Sequence, residues 1–187
     1  MAAILAMPLA EVQKVCDEAA QGEVCSPANI NSPDQIVISG NKAAVERAAE
    51  LAKARGAKRA VMLPVSAPFH CALMQPAQQR LAADLKAVRL SATLSRTELV
   101  NNVDAAMVSD PELHRDALVR QVTGAVQWLR CMQSLIAQKV SLYIEVGPGK
   151  VLCGLMRQID RSQSYTNVED EASLQKTLAA VAAALHH

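Results

Sequence analysis

The sequence predicts an α/β fold in two parts, a β-α-β-β-α-β unit over residues 1–64 and a second set of strands and helices over residues 65–187. Three observations predict it. Short strand-like runs alternate with segments whose apolar residues recur at helical spacing. Pro, Gly, Asn and Asp gather between those runs, where the chain must turn. Finally, 51% hydrophobic residues in a chain of 187 supply one good core, or one core with a small satellite.

In the first part, "AAILAM" is a short apolar run that reads as a strand. Pro8 follows where an opening helical turn tolerates proline, ahead of Val12, Val15, Cys16 and Ala19 on one helical face. "EVCSPANI" and "QIVISG" read as two strands tightly joined through "NSPD". Asn41 is placed to cap a helix whose buried face is Val45, Ala48, Ala49 and Ala52, and Gly56 is placed to end it. "RAVMLPV" closes the unit as a strand, and the order is that of a split βαβ, ferredoxin-like domain. Such a topology hosts many functions and assigns none.

In the second part, Pro76 opens a helix whose buried face is expected at Ala77, Leu81, Leu85 and Val88, and "ELVNNVD" reads as a strand ending in polar residues. Helices follow around "PELHRDALVRQV" and "VQWLRCMQSLIAQ", then the strand "SLYIEV" and the turn "GPG". A helix bearing Leu152, Leu155, Met156 and Ile159 comes next, and "SLQKTLAAVAAALHH" is a terminal amphipathic helix whose two end histidines read as solvated. Alternating strands and helices imply an open, largely parallel sheet, yet only two convincing strands are visible, so this domain reads as incomplete.

A net charge of +1, with no dense Lys/Arg stripe, gives no electrostatic footprint for nucleic acid or a membrane surface. Four aromatic residues are too few for base-stacking platforms. Five cysteines lie far apart without a CxxC pair, which argues against a zinc site or a disulfide framework and for a reduced, cytoplasmic setting. The opening run lacks the basic and long apolar regions of a signal peptide, and no later run reaches membrane-spanning length.

His70 draws attention because it follows a strand-like run and a Pro-Phe step, at the mouth of a helix. Such a residue serves either as a general base or as a structural turn residue. No GxSxG elbow occurs in the chain, and Cys71, adjacent to His70, points away from it in ordinary backbone geometry. "EVGPGK" either cradles an anion at a helix N-terminus or forms a tight turn. Asn101 and Asn102 either orient a polar group or form a turn.

The ordered motifs "NINSPDQIVISG", "LPVSAPFHCALMQPA", "VNNVD", "LVRQVTGAVQW" and "YIEVGPGKVLCGL" closely resemble the malonyl-CoA:acyl carrier protein transacylases of fatty-acid synthesis, from Met1 to about Ile159. That resemblance implies a ferredoxin-like subdomain inserted in a large α/β-hydrolase-like acyltransferase domain. It implies transfer of malonyl from coenzyme A to the phosphopantetheine thiol of acyl carrier protein through a seryl ester, with no cofactor and no metal. His70 then corresponds to the general base, and Gln121 to the residue whose backbone carbonyl orients the imidazole where a protease uses aspartate. Asn102 matches an active-site asparagine, and Gly147, Pro148 and Gly149 match a segment lining the same cavity. Phe69 matches a position that accompanies malonyl over methylmalonyl selection; one methyl is worth only about 1–3 kcal/mol of discrimination.

The family's "GQGSQ" segment, serine elbow and malonate-binding arginine have no counterpart here, so the chain reads as the C-terminal part of a longer enzyme. It is expected to be inactive alone and to need the missing N-terminal half as partner. Lys150 does not replace that arginine, because an ammonium lacks the planar fork. The alternative is a non-catalytic remnant that binds acyl carrier protein, with Lys53, Arg55, Lys58 and Arg59 as a basic patch for an acidic partner; the competing reading of that cluster is a solvated helix end. Transfer through Cys71 is the third reading.

Overall fold

The computed structural model describes residues 1–91 and 97–185, so the two end histidines lie outside the described residues. They form two compact units, Met1–Cys131 and a second from Met132 onward.

The first unit begins with β1 (Ala2–Leu5), α1 (Leu9–Ala20), β2 (Cys25–Ser32), β3 (Gln35–Gly40), α2 (Lys42–Ala54) and β4 (Arg59–Met62). The four strands make one antiparallel sheet in the order β2-β3-β1-β4. Pro33 and Asp34 alone form the β2–β3 turn. Alternation along β1 and β3 sends Ala2, Ile4, Ile36 and Ile38 to one face, where they pack with Val12, Val15 and Cys16 of α1 and Val45, Ala48 and Ala52 of α2. Full burial of an Ile or Val side chain contributes about 1.5–3 kcal/mol. Small alanines on α2 let that helix lie close to the sheet.

The helix ends explain themselves locally. Gly56 takes φ +94°, its N–H donates to Lys53 O at 3.1 Å, and the Ala57 N–H donates to Ala52 O at 2.9 Å, closing α2 in a left-handed C-terminal turn. α1 carries no basic residue in its last turn. Arg47 of α2 supplies one, donating to Ala19 O at 2.9 Å and Ala20 O at 3.2 Å while pairing with Glu23 at 2.8 Å. Asn41 does sit at the N-cap of α2, but its side chain makes no cap bond there; it accepts from the Val24 N–H instead.

The unit continues with a short 3-10 turn (Ala72–Met74), α3 (Gln75–Ala87), the two-residue hairpin β5 (Leu99–Val100) and β6 (Met107–Val108), and α4 (Pro111–Arg120). The expected strand "ELVNNVD" is thus confined to Leu99–Val100, because Asn101 already turns the chain. The expected buried face of α3 is not buried: Leu81 and Leu85 are half-buried, Ala77 and Val88 exposed. Its helical spacing gives the helix an apolar stripe that its neighbours among the described residues cover only in part.

α5 (Trp128–Ala137) leads into the second unit, which holds β7 (Tyr143–Val146), α6 (Val151–Ile159), β8 (Tyr165–Val168) and α7 (Glu171–Leu185). β7 and β8 pair in parallel, Tyr143 opposite Tyr165 and Val146 opposite Val168. α7 docks through Thr177, whose hydroxyl donates to Asn167 O at 3.0 Å and lies 2.8 Å from the Thr166 hydroxyl. No helix among the described residues is long and apolar enough to cross a membrane.

Candidate active site

His70 sits in the turn between β4 and the 3-10 segment with φ +59°, a left-handed conformation that histidine tolerates better than most residues. The turn is locked beneath it. Cys71 is 1% exposed and its thiol donates to Pro68 O at 3.1 Å, which occupies the sulfur in structure. Phe69, 42% exposed, faces outward on the same turn.

The imidazole is half-buried, and its Nδ1 lies 2.9 Å from the backbone carbonyl oxygen of Gln121. A carbonyl only accepts, so this contact requires Nδ1 to carry the proton and leaves the lone pair on Nε2. Gln121 is the C-cap of α4, where carbonyls lose their intrahelical partners and the helix dipole is negative. α4 is well made at its other end too: the Asp110 carboxylate accepts from Glu112 N at 2.8 Å and Leu113 N at 3.1 Å.

Asn101 and Asn102 flank the same region. Asn101 is 7% exposed, its Oδ1 accepts from Asp104 N at 2.7 Å, and its Nδ2 has no partner among the described residues. It is a turn-forming residue in this fold. Asn102 is half-buried, its carbonyl accepts from Gln127 N at 2.8 Å, and it lines a cleft of about 350 Å³ together with Gln121, Leu99, His114 and Leu118. His70 is joined to that cleft through the Gln121 carbonyl rather than as part of its wall.

Three features of this site went unread in the sequence, although Arg120 and Gly124 lie inside a quoted motif. The Arg120 guanidinium grips both oxygens of Asp104 at 2.7 and 2.8 Å and Asp116 at 2.5 Å; the Arg120 fork holds the Asp104 carboxyl below its ordinary range. Gln78 of α3 donates to Val119 O at 3.1 Å and Thr123 Oγ1 at 3.0 Å. Gly124 permits close packing, since a Cβ there would lie 2.8 Å from Val103 Cγ2 and 3.0 Å from Arg120 O.

Gly147, Pro148 and Gly149 belong to the second unit, in the turn from β7 to α6. Gly147 has φ +136° and Gly149 φ +88°. In the turn Gly147 N donates to Val168 O at 3.0 Å, and other donors here and at the start of α6 go to the chain's own carboxylates. Gly149 N donates to Glu169 at 3.0 Å, while Leu152 N and Cys153 N donate to Glu145 at 3.1 and 2.8 Å. A tight turn filled by internal carboxylates leaves those N–H groups no free anion to cradle. Lys150 is likewise engaged, 3.0 Å from Glu169. Among the described residues no three His, Cys, Asp or Glu side chains gather as a metal site would.

The basic cluster at the end of α2 is partly neutralised. Lys53 pairs with Glu50 at 3.0 Å, and Arg55 holds Glu18 through two nitrogens at 2.9 and 2.5 Å.

No family model matches the chain. It is 47% identical over 178 residues to the malonyl CoA-acyl carrier protein transacylase of Salmonella typhimurium, covering 95% of this chain and 57% of that protein. To the enzyme of the same description from Escherichia coli K12 it is 50% identical over 159 residues, 85% of this chain and 51% of the relative. The acyl carrier protein S-malonyltransferase structure from Vibrio cholerae superposes with a TM-score of 0.90 at 46% identity, over 94% of this chain and 57% of that one. A malonyl-transacylase solved in complex with a type II PKS acyl-carrier protein superposes with a TM-score of 0.92 at 42% identity, over 95% and 57%. The chain thus spans little more than half the length of the relatives it matches. Over the part of that length that it spans, the chain is similar throughout to malonyl CoA-acyl carrier protein transacylases.

Proposed function

We propose that this chain is the histidine-bearing part of a transacylase that moves malonyl from coenzyme A to the phosphopantetheine thiol of acyl carrier protein. The observation that carries this reading is the 2.9 Å contact between His70 Nδ1 and the Gln121 carbonyl, which leaves Nε2 free to accept a proton. In the proposed cycle His70 Nε2 takes the proton from a serine hydroxyl supplied by sequence outside this chain. The serine oxygen attacks the malonyl thioester, the carbon–sulfur bond breaks, and the coenzyme A sulfur leaves with that proton. The second half reverses the roles: the phosphopantetheine thiol loses its proton to His70, its sulfur attacks the seryl ester, and the serine oxygen regains the proton. Both halves exchange an ester and a thioester, so the chemistry needs no cofactor.

In this reading Phe69 narrows the space beside the malonyl methylene and Asn102 orients the acyl group, and Gly147, Pro148 and Gly149 are assigned to substrate binding by the family resemblance. Residues 1–64 act as a ferredoxin-like subdomain, and residues 65–187 as the C-terminal portion of an α/β-hydrolase-like acyltransferase domain. Acyl carrier protein as partner is supported by the related transacylase solved with one bound. The chain alone is inactive, because a base without its nucleophile forms no acyl-enzyme.

Intact-protein mass spectrometry after incubation with malonyl-CoA tests this. Neither this chain nor a supplied fragment carrying the serine elbow gains malonyl alone, whereas the mixture does, on the fragment, and only with His70 intact. Malonylation of this chain by itself would overturn the reading.

A further inference from the structure

Arg120 is next in sequence to the residue that receives the His70 N–H, yet its side chain reaches back to another segment. Two of its nitrogens meet the two oxygens of Asp104 at 2.7 and 2.8 Å, and Nε meets Asp116 at 2.5 Å. Asp104 closes the turn that Asn101 begins, its own N–H donating to Asn101 Oδ1 at 2.7 Å. The guanidinium therefore fastens the end of α4 to the Asn101–Asp104 turn, and that turn carries Asn102. Gly124 packs at the same place, where a Cβ would press on Val103 Cγ2 at 2.8 Å and on the Arg120 carbonyl at 3.0 Å.

We propose that Arg120, through its forked bond to Asp104, is a positioning residue that fixes the Gln121 carbonyl and so selects the Nδ1-protonated tautomer of His70. The proposal rests on the reading of His70 as the base, since that role needs Nε2 unprotonated. Exposed ion pairs contribute little to stability, and both partners here are more than one-third exposed. What the pair supplies is orientation: a planar fork on a planar carboxylate fixes direction as well as distance. The bond to Asp116 joins residues four apart on one helix and ties nothing across. Asp104 and Asp116 are thus built to have different consequences when neutralised.

Long-range proton–nitrogen correlation spectra of the full chain labelled at histidine read the tautomer directly, with the His70 signals assigned through His70→Gln and recorded where the imidazoles are neutral. The unmodified chain shows His70 protonated at Nδ1. Asp104→Asn, which keeps shape and volume, shifts the ratio by about fivefold to tenfold toward Nε2–H with little change in thermal midpoint, the effect of weakening one hydrogen bond. Arg120→Lys shifts it part of the way, and Asp116→Asn leaves it unchanged. An unchanged tautomer in a folded Asp104→Asn chain overturns the positioning role, as does an equal shift in Asp116→Asn. If Arg120→Lys fails to fold, the two isosteric aspartate variants carry the test. An unmodified chain protonated at Nε2 overturns the base reading itself, an outcome visible before any variant is made.

Discussion

Asn41 and Val24 exchange two hydrogen bonds: the Asn41 N–H donates to Val24 O at 2.8 Å, and the Val24 N–H donates to Asn41 Oδ1 at 2.9 Å. The clamp joins the start of α2 to the entry of β2. Asn41→Ala strands a partly buried N–H and is expected to cost about 1–2 kcal/mol in chemical denaturation. Asn41→Asp keeps the acceptor and most of the stability. Amide exchange at Val24 should rise in the alanine variant alone.

The approach that makes this clamp also forbids a side chain beside it. A Cβ on Gly40 would lie 1.9 Å from Val24 O. Gly40→Ala should therefore cost more than Asn41→Ala, about 3 kcal/mol or beyond, because backbone on both sides must move. Equal denaturation midpoints for the two variants would contradict the close approach.

Glu145 predicts how the second unit responds to pH. Burial pushes its carboxyl up, but the N–H groups of Cys153 and Leu152 at the start of α6 prevail and hold it below the ordinary carboxylate value. A depressed folded pKa gives stability that is complete above the unfolded value of about 4.3 and is lost as pH falls through the folded one. Glu145→Gln should flatten that acid dependence and cost about 0.3–1 kcal/mol at neutral pH. Acid titration of α6 amide signals in both forms measures it.

Apolar exposure predicts association. Val146 is 79% exposed and Val151 70%, at the two ends of the Gly147–Gly149 turn. Sedimentation should show an apparent mass that rises with concentration, and Val146→Thr with Val151→Thr should lower it. A monodisperse chain at every concentration would contradict this.

Cys71 is expected to matter for stability and not for transfer. Cys71→Ala removes a buried thiol and its bond to Pro68 O, for about 1 kcal/mol. Malonyl transfer by the reconstituted enzyme should persist. Its loss in a folded Cys71→Ala chain would place the thiol in the chemistry.

The first 62 residues were legible because their signals are local. Alternation in "QIVISG", the Val12/Val15/Ala19 spacing and Gly56 each act within a few residues, and the observed elements follow them. β8 went unread because "YTNV" mixes polar and apolar residues and all four are half-buried, so no alternation marks it. β6 is two residues long and has no pattern at all. Ala77, Leu81, Leu85 and Val88 mislead in the opposite way, since periodicity marks a stripe and is silent on what covers it. Fifty-one positions separate His70 from Gln121. No spacing rule reaches that far, and only the family motifs "FHC" and "LVRQ" name the two residues together.

Val126 gives the site a folding history. Its N–H donates to Ala28 O and its carbonyl accepts from Ile30 N, both at 2.8 Å, while the next residue, Gln127, donates to Asn102 O. The loop closed between Ile30 and Val126 spans nearly a hundred residues, so this stitch is costly in chain entropy and is expected to form late, after β2 has found its sheet. Gln121 and Asn102 are expected to settle only once that stitch is tied. The slowest amides to gain protection during refolding should then be those around Val126 and Gln127, which makes recovery of the imidazole pocket a clock for completion of the first unit.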